Sequence, residues 1–274
     1  MTWNTAATMG LDRLYHYQPF DPVRLSNIIL DKALYFSNPG DFNDPWDCRP
    51  WWNVNALADP VVLDRHIDWY ITETREHGQN ISENEIQRRA NAFRSNPEFL
   101  IRKMKKVSLA IEATIKERYR VYCLSSKLDS ELMWAHYSNK HQGICLEFDA
   151  GNELFSQALK LSYQEDYPPF DLTTETEDEN RMPLTTKSAA WNYEDEYRLI
   201  AQEKKARMPE DSLMTQSNCI ELPDRALTAI IVGCLAPNST LNAIKKLIEK
   251  CTYSVKLKRA VRARDQYKLS IICI

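Results

Sequence analysis

The stretch from Arg120 to Asp149, RVYCLSSKLDSELMWAHYSNKHQGICLEFD, decides the fold class. It opens with RVYCLSS, an apolar run of strand length. DSELMWAHYSNKHQ follows and reads as a short helix, with Asp129 or Ser130 placed to cap it. GICLEFD then returns to strand. More strands lie downstream in LKLSYQED (159–166), CIELP (219–223), ALTAIIVGCL (226–235) and YSVKLKRAVR (253–262). NSTLNAIKKLIEKC (238–251) reads as a helix opened by Asn or Ser, and RMPLTTKSAAWNYEDEYRLIAQ (181–202) as a helix feeding a strand. Upstream, RLYHY (13–17) and KALYFS (32–37) are strand-like. Between them DPVRLSNIILD has an early Pro and apolar residues at 25, 28 and 29, which suits a short amphipathic helix. Strands outnumber what a helical bundle needs and do not alternate strictly with helices. The expected fold is α+β, with a mixed or antiparallel central sheet of about 6–9 strands.

Residues 54–119 differ in character. DPVVLDRHIDWYITETREHG, SENEIQRRANAFRS and NPEFLIRKMKKVSLAIEATIKERY are polar, periodic and rich in helix formers. Ser82 and Glu85 in SENE have the spacing of a capping box. This block is expected to be a helical insertion within a single domain spanning 1–274, offering a surface to a protein partner. Residues 164–186 are acidic, with Glu165, Asp166, Asp171, Glu175, Glu177, Asp178 and Glu179, and are expected to form a mobile surface loop.

The 274 residues suffice for a sizeable core, and the 43% apolar and 27% charged fractions are those of a globular protein. A net charge of -3 gives no global field for nucleic acid or anionic lipid. Lys256, Lys258, Arg259, Arg262, Arg264 and Lys268 make the last segment locally basic, as a solvated strand face or a phosphate-facing surface. No run approaches the roughly 18 apolar residues of a membrane span, and no secretory signal is visible. The seven cysteines form no Cys-x-x-Cys pair, and most sit inside apolar runs. The expected setting is cytoplasmic and reducing, with no metal site. His66 and His77 are not spaced to share a helix face.

There is no Gly-x-Gly-x-x-Gly and no phosphate-binding Gly-Lys-Ser/Thr, so the usual dinucleotide and P-loop motifs are absent. Polar and aromatic residues cluster instead at four places: Tyr15-His16-Tyr17, Ser37 with the Asn43-Asp44-Pro45 turn, Trp134 to Tyr137 with His141 and Gly143, and Trp191 to Arg198. Each pairs ring faces with orienting polar groups, as a pocket requires, and each also reads as core or turn chemistry. In YFSNPGDFNDPWD (35–47), YFS ends a strand and places Ser37, while Asn43 and Asp44 brace the turn that follows. If the strand runs from Tyr193, then Glu194, Glu196 and Arg198 share one face. That face is either a surface ladder or a site in which Arg198 orients one Glu and leaves the other free for catalysis.

These segments together resemble the bacterial family known as domain of unknown function 2971. The shared features are Leu14 to Tyr17, Phe42 to Trp46, Cys123 to Ser125, Met133 to Tyr137, Gly143 to Asp149 and Trp191 to Arg198. The long helical stretch between Asp47 and Arg120 departs from that pattern. A second resemblance, at fold level, is to ADP-ribosyltransferases, which order a His or Arg, a hydroxyl residue and a Glu along three strands. His16, Ser37 and Glu196 fall in that order. The resemblance implies NAD as cofactor, Glu196 stabilising an oxocarbenium-like charge, His16 bonding the ribose or a phosphate, and Ser37 holding the site. It further implies that Tyr17, Tyr137, Trp134, Glu194, Arg198, Asn43 and Asp44 surround the cofactor, and that the enzyme acts as a toxin or antiphage effector on an unidentified acceptor. Two alternatives stay open. One is a non-catalytic sensor or interaction module of a defence system. The other is a metal-dependent nuclease or hydrolase built on Asp44, Asp47, Asp149, Glu194 and Glu196.

Overall fold

The structure, a computed structural model, describes residues 4–77, 81–174, 177–203 and 213–274. Along the chain, the first elements are β1 (Arg13–Gln18), α1 (Pro22–Ile29) and β2 (Ala33–Tyr35). Three long helices follow: α2 (Pro60–His77), α3 (Glu83–Ser95) and α4 (Glu98–Arg118). Next come β3 (Tyr119–Ser125), α5 (Glu131–Tyr137), β4 (Ile144–Asp149), β5 (Leu159–Lys160), β6 (Ser162–Gln164), α6 (Glu177–Thr185) and β7 (Thr186–Ser188). The last part holds β8 (Glu196–Glu203), β9 (Met214–Thr215), β10 (Cys219–Glu221), β11 (Leu227–Val232), α7 (Asn238–Ile248), β12 (Lys256–Arg262) and β13 (Leu269–Cys273).

Among the described residues the main sheet has nine strands in the order β13-β12-β11-β4-β1-β3-β8-β5, with β9 beside β8. β11–β12 and β8–β9 are parallel and the other pairs antiparallel. The fold is therefore α+β around a mixed central sheet. Period-2 alternation sorts the side chains of its middle strands. In β4, Ile144, Leu146 and Phe148 join the core that holds Leu25 and Ile28 of α1 and Ile244 of α7. Cys145 joins the opposite core, with Met133 and Trp134 of α5. Both faces are covered, which is why ICLEF reads as a nearly continuous apolar run. Helices α2, α3 and α4 bury Ile67, Tyr70, Ile86, Phe93, Leu100 and Met104 in a core of their own.

Local chemistry explains several boundaries. Asp21 caps α1 by accepting from the backbone of Val23 and Arg24, and Ser130 caps α5 by accepting from Met133 N–H. Ser82 accepts from Glu85 N–H at the start of α3. At Gly143 a Cβ would lie 2.4 Å from the Gln18 carbonyl oxygen, so only glycine lets this turn approach the end of β1.

Four expectations need correction. KALYFS does not enter the main sheet: β2 pairs with β10 in a separate two-stranded sheet. Ser37 instead makes a single bridge to Val121 of β3. LKLSYQED breaks at Leu161 into β5 and β6, which belong to different sheets. The helix from Arg181 ends at Thr185, and β7 and a short 3-10 turn over Ala189–Glu194 separate it from β8. Finally, the acidic stretch is not plain loop. It contains α6, and Phe170 and Leu184 are buried. Glu175 lies outside the described residues. The unforeseen strand β13 is short and closes the sheet edge.

Candidate functional site

The site begins with an interruption of the sheet. β1 pairs with β4 along its whole length, from Arg13↔Asp149 to Gln18↔Ile144, yet meets β3 at one position, Tyr15↔Ser125. Beyond that rung the ladder stops. The His16 side chain takes over, its Nδ1 2.8 Å from the Cys123 carbonyl. Further along β3, Val121 exchanges two backbone hydrogen bonds of 2.9 Å with Ser37. A pocket of about 230 Å³ opens at this gap.

His16, Ser37 and Glu196 all line it, as do Tyr17, Tyr137, Glu194, Arg198 and Asn43. Two predicted residues do not. Trp134 is wholly buried, donates its indole N–H to Leu128 and packs edge-on against Tyr17, with ring centroids 5.2 Å apart. Its size and its position on the inner face of α5 make it core. Asp44 turns away and lines a neighbouring pocket.

One wall of the pocket is a buried ionic cluster. Arg198, with no exposed surface, grips two carboxylates bidentately. Its Nε and Nη2 lie 2.7 and 3.1 Å from the Glu196 oxygens, and its Nη1 and Nη2 lie 2.9 and 2.6 Å from those of Asp47. Lys187 Nζ donates to Glu194 at 2.5 Å and to Glu196 at 2.9 Å. Tyr137 O–H donates to the other Glu194 oxygen at 2.5 Å. Three carboxylates thus face two cations, leaving a formal charge of -1.

The expectation that Glu194, Glu196 and Arg198 share a strand face holds only for the last two. The strand starts at Glu196, because Asp195 is left-handed at φ 43 and ends the preceding 3-10 turn. Glu194 reaches the same Lys187 from that turn. Its carbonyl accepts from Ser125 Oγ, which fixes the turn against β3.

The two glutamates are driven apart electrostatically. Burial would raise Glu196, but the Arg198 and Lys187 charges outweigh it and hold the carboxyl well below the usual range. Glu194 is raised: burial is the largest influence, and repulsion from Glu196 adds to it against the pull of Lys187. Burial, with Glu194 beside it, also pushes the Tyr137 hydroxyl up.

The opposite wall is uncharged apart from Arg24. Burial first, and then the Arg24 charge, depress His16 to about 3, so its ring is neutral. A carbonyl oxygen only accepts, so the proton sits on Nδ1 and Nε2 is left as an acceptor. That Nε2 is cut off from solvent and has no partner among the described residues. The ring stacks on Tyr122 at 4.3 Å, which fixes its plane. Gln18 is 2% exposed, and neither end of its amide has a hydrogen-bond partner among the described residues. Arg24 Nε is buried and unpartnered too. All three residues line the pocket. Tyr17 O–H donates to Lys127 at 2.7 Å, so its ring is held in place.

Sequence reasoning missed Lys187, Gln18 and Arg24 as parts of this site, and placed Asp47 only with the metal alternative. Gln18 was within reach, since it continues the period-2 face of His16 in YHYQ. A larger, open groove of about 920 Å³ lies by Arg262, Arg264 and Lys268; His141 of the third cluster lines it, and none of the residues expected around the cofactor does. Part of the basic segment is structural: Lys258 donates to Glu147 at 2.6 Å and Arg259 to the Ala236 carbonyl at 3.1 Å.

Fold and site together define a mixed-sheet α+β protein whose pocket opens where two central strands part. The sequence model of a family described as "Protein of unknown function (DUF2971)" matches residues 133–199, so the resemblance read from the motifs holds there. That segment runs from α5 through β8 and carries Tyr137, Lys187, Glu194, Glu196 and Arg198. No curated protein and no solved structure matches the chain.

Proposed function

We propose that this chain is an NAD-using, ADP-ribosyltransferase-like enzyme with its donor site in the pocket between β1 and β8. What supports the reading is that His16, Ser37 and Glu196, far apart in sequence, line one pocket. The pocket is smaller than the about 300 Å³ at which pockets for drug-sized ligands begin, so it suits a ring and sugar, not a whole dinucleotide. The unpartnered atoms fit such a half. His16 Nε2 accepts from a sugar hydroxyl, Gln18 both donates and accepts, and Arg24 Nε donates to an anionic oxygen. The neutral tautomer of His16 assigns it to the sugar, because an ionised phosphate has no proton to give.

NAD supplies a glycosidic bond whose leaving group is neutral nicotinamide. In transfer that bond breaks, the acceptor bonds to the same sugar carbon, and the acceptor's proton passes to a base. Glu196, held ionised by Arg198 and Lys187, supplies fixed negative charge beside the developing positive charge. Glu194, with its raised pKa, takes the acceptor's proton.

The metal-dependent alternative finds less support. Lys187 and Arg198 sit among Asp47, Glu194 and Glu196, so a metal ion would meet two fixed positive charges there, and Asp149 pairs with Arg13 at 3.3 Å at the far end of β4. Among the described residues, metal-ligand spacing occurs at Glu73, Glu76 and His77 on α2, away from this pocket. Among those residues no helix is long and apolar enough to cross a membrane.

The test is incubation of folded protein and a cell extract with NAD labelled in its adenylate half. Label is expected on an extract component with wild type and not with Glu196→Gln. Absence of both label and free nicotinamide with wild type sinks the proposal.

A further inference from the structure

The ionic cluster has a second side. Asp47 and Lys187 line both the donor pocket and a neighbouring one of about 240 Å³. Asp44, Trp46, Glu165, Asp166 and Tyr167 line only the second. The acidic groups there are Asp44, Asp47, Glu165 and Asp166, and the single cation is Lys187, whose ammonium is engaged by Glu194 and Glu196.

Acidic lining alone would say little, and Asp44 adds an independent observation. It is 3% exposed. Its Oδ1 accepts from Trp46 N–H at 3.0 Å and braces the turn. Its Oδ2 is buried and has no partner among the described residues. A buried carboxylate oxygen without a donor is costly, and a cationic donor from outside removes that cost. Two aromatic side chains border the same space: Trp46, 63% exposed, and Tyr167, whose hydroxyl donates to the Trp46 carbonyl at 3.2 Å. Aromatic faces beside a carboxylate are the usual setting for a guanidinium or ammonium group.

We propose that this second pocket binds a cationic amino-acid side chain, with Asp44 Oδ2 as its anchor and Trp46 as its cover. Arginine suits it better than lysine, because a planar guanidinium both stacks on a ring and donates to a carboxylate. The pocket adjoins the donor site through Asp47 and Lys187, which line both and whose carboxylate oxygen and ammonium lie 3.8 Å apart. The proposal gives the transfer reading an acceptor class, and it stands without that reading because binding needs no NAD.

Calorimetric titration of the full chain with agmatine tests it, with N-butylurea as a neutral analogue of similar shape. Wild type is expected to bind agmatine and not butylurea. Asp44→Asn is expected to weaken agmatine at least tenfold. Trp46→Ala, at an exposed position that leaves the core intact, is expected to weaken it several-fold and covers the case in which Asp44→Asn does not fold. Equal binding of both probes, no binding by wild type, or unchanged binding by Trp46→Ala overturns the proposal. The titration contains no NAD, so its failure and the failure of the transfer reading register separately.

Discussion

The two walls of the donor pocket are built on opposite terms. On the β8 side Asp47, Lys187, Glu196 and Arg198 satisfy one another in a sealed network. On the β1 side His16 Nε2, both ends of the Gln18 amide and Arg24 Nε are buried without partners among the described residues. A satisfied network holds its shape and contributes fixed charge. An unsatisfied set lowers stability and is repaid when a ligand supplies the missing partners. The β8 wall therefore sets the electrostatics, and the β1 wall does the recognising.

The largest effect that separates the walls comes from Arg198. Arg198→Met leaves Asp47 and Glu196 buried without their guanidinium, and removing one partner of a buried pair is expected to cost about 3–5 kcal/mol. Urea unfolding reads this as a fall in midpoint with little change in slope. A loss under about 1 kcal/mol would mean the cluster is solvated and the contrast between the walls is false.

The pH dependence of stability separates the two glutamates. The folded-state pKa of Glu196 is depressed, so its contribution is fully present above about pH 4.3, the ordinary Glu value, and fades as pH falls through the folded value. The stability gap between wild type and Glu196→Gln is expected to be wide at neutral pH and to narrow in acid. Glu194 is raised, so the sign reverses: its contribution is full below about pH 4.3 and is lost as pH rises through the folded value. Glu194→Gln is expected to lose less stability than wild type over that rise. Parallel curves for both variants would contradict the separation.

On the β1 wall the expected effects are smaller and change sign. Gln18→Leu replaces an unpaired buried amide by an apolar group of similar size, so thermal stability should hold or rise by about 1 kcal/mol while NAD binding weakens. A clear loss of stability would show that Gln18 has partners in the protein. Smallest is Tyr137→Phe, which removes one donor to Glu194 and should cost about 1 kcal/mol in urea unfolding.

Both walls were partly legible in the sequence. His16 and Ser37 stand out because a strand's period-2 pattern shows where polar residues interrupt apolar ones. Glu196 and Arg198 were legible as a pair for the same reason. Lys187 was not, and Asp47 entered only with the metal alternative, because its role comes from an ion pair to Arg198 that closes over a long sequence separation. Lys187 in TTKSAAW looks like a surface lysine, and Asp47 like the end of a turn. The turn chemistry of NPGDFNDPWD now has a reason. Asn38 accepts from Gly40 N–H, Asp44 from Trp46 N–H, and Cys48 adopts a left-handed φ of 56. These constraints carry Asp47 to Arg198. The same propensities that marked the helices and main strands could not show that KALYFS leaves the main sheet, since a strand of a two-stranded sheet has the same local pattern.

The most direct measurement is nicotinamide release from NAD by purified wild type, His16→Ala and Glu196→Gln, each first shown to be folded by its thermal transition. The division of labour between the walls predicts release by wild type and a loss of at least tenfold in His16→Ala at a smaller fall in stability than in Glu196→Gln, since His16 gives up one hydrogen bond and its stack on Tyr122 while Glu196 gives up contacts to two buried cations. It predicts a loss in Glu196→Gln accompanied by a lower midpoint. Folded wild type that neither binds NAD nor releases nicotinamide would contradict the account.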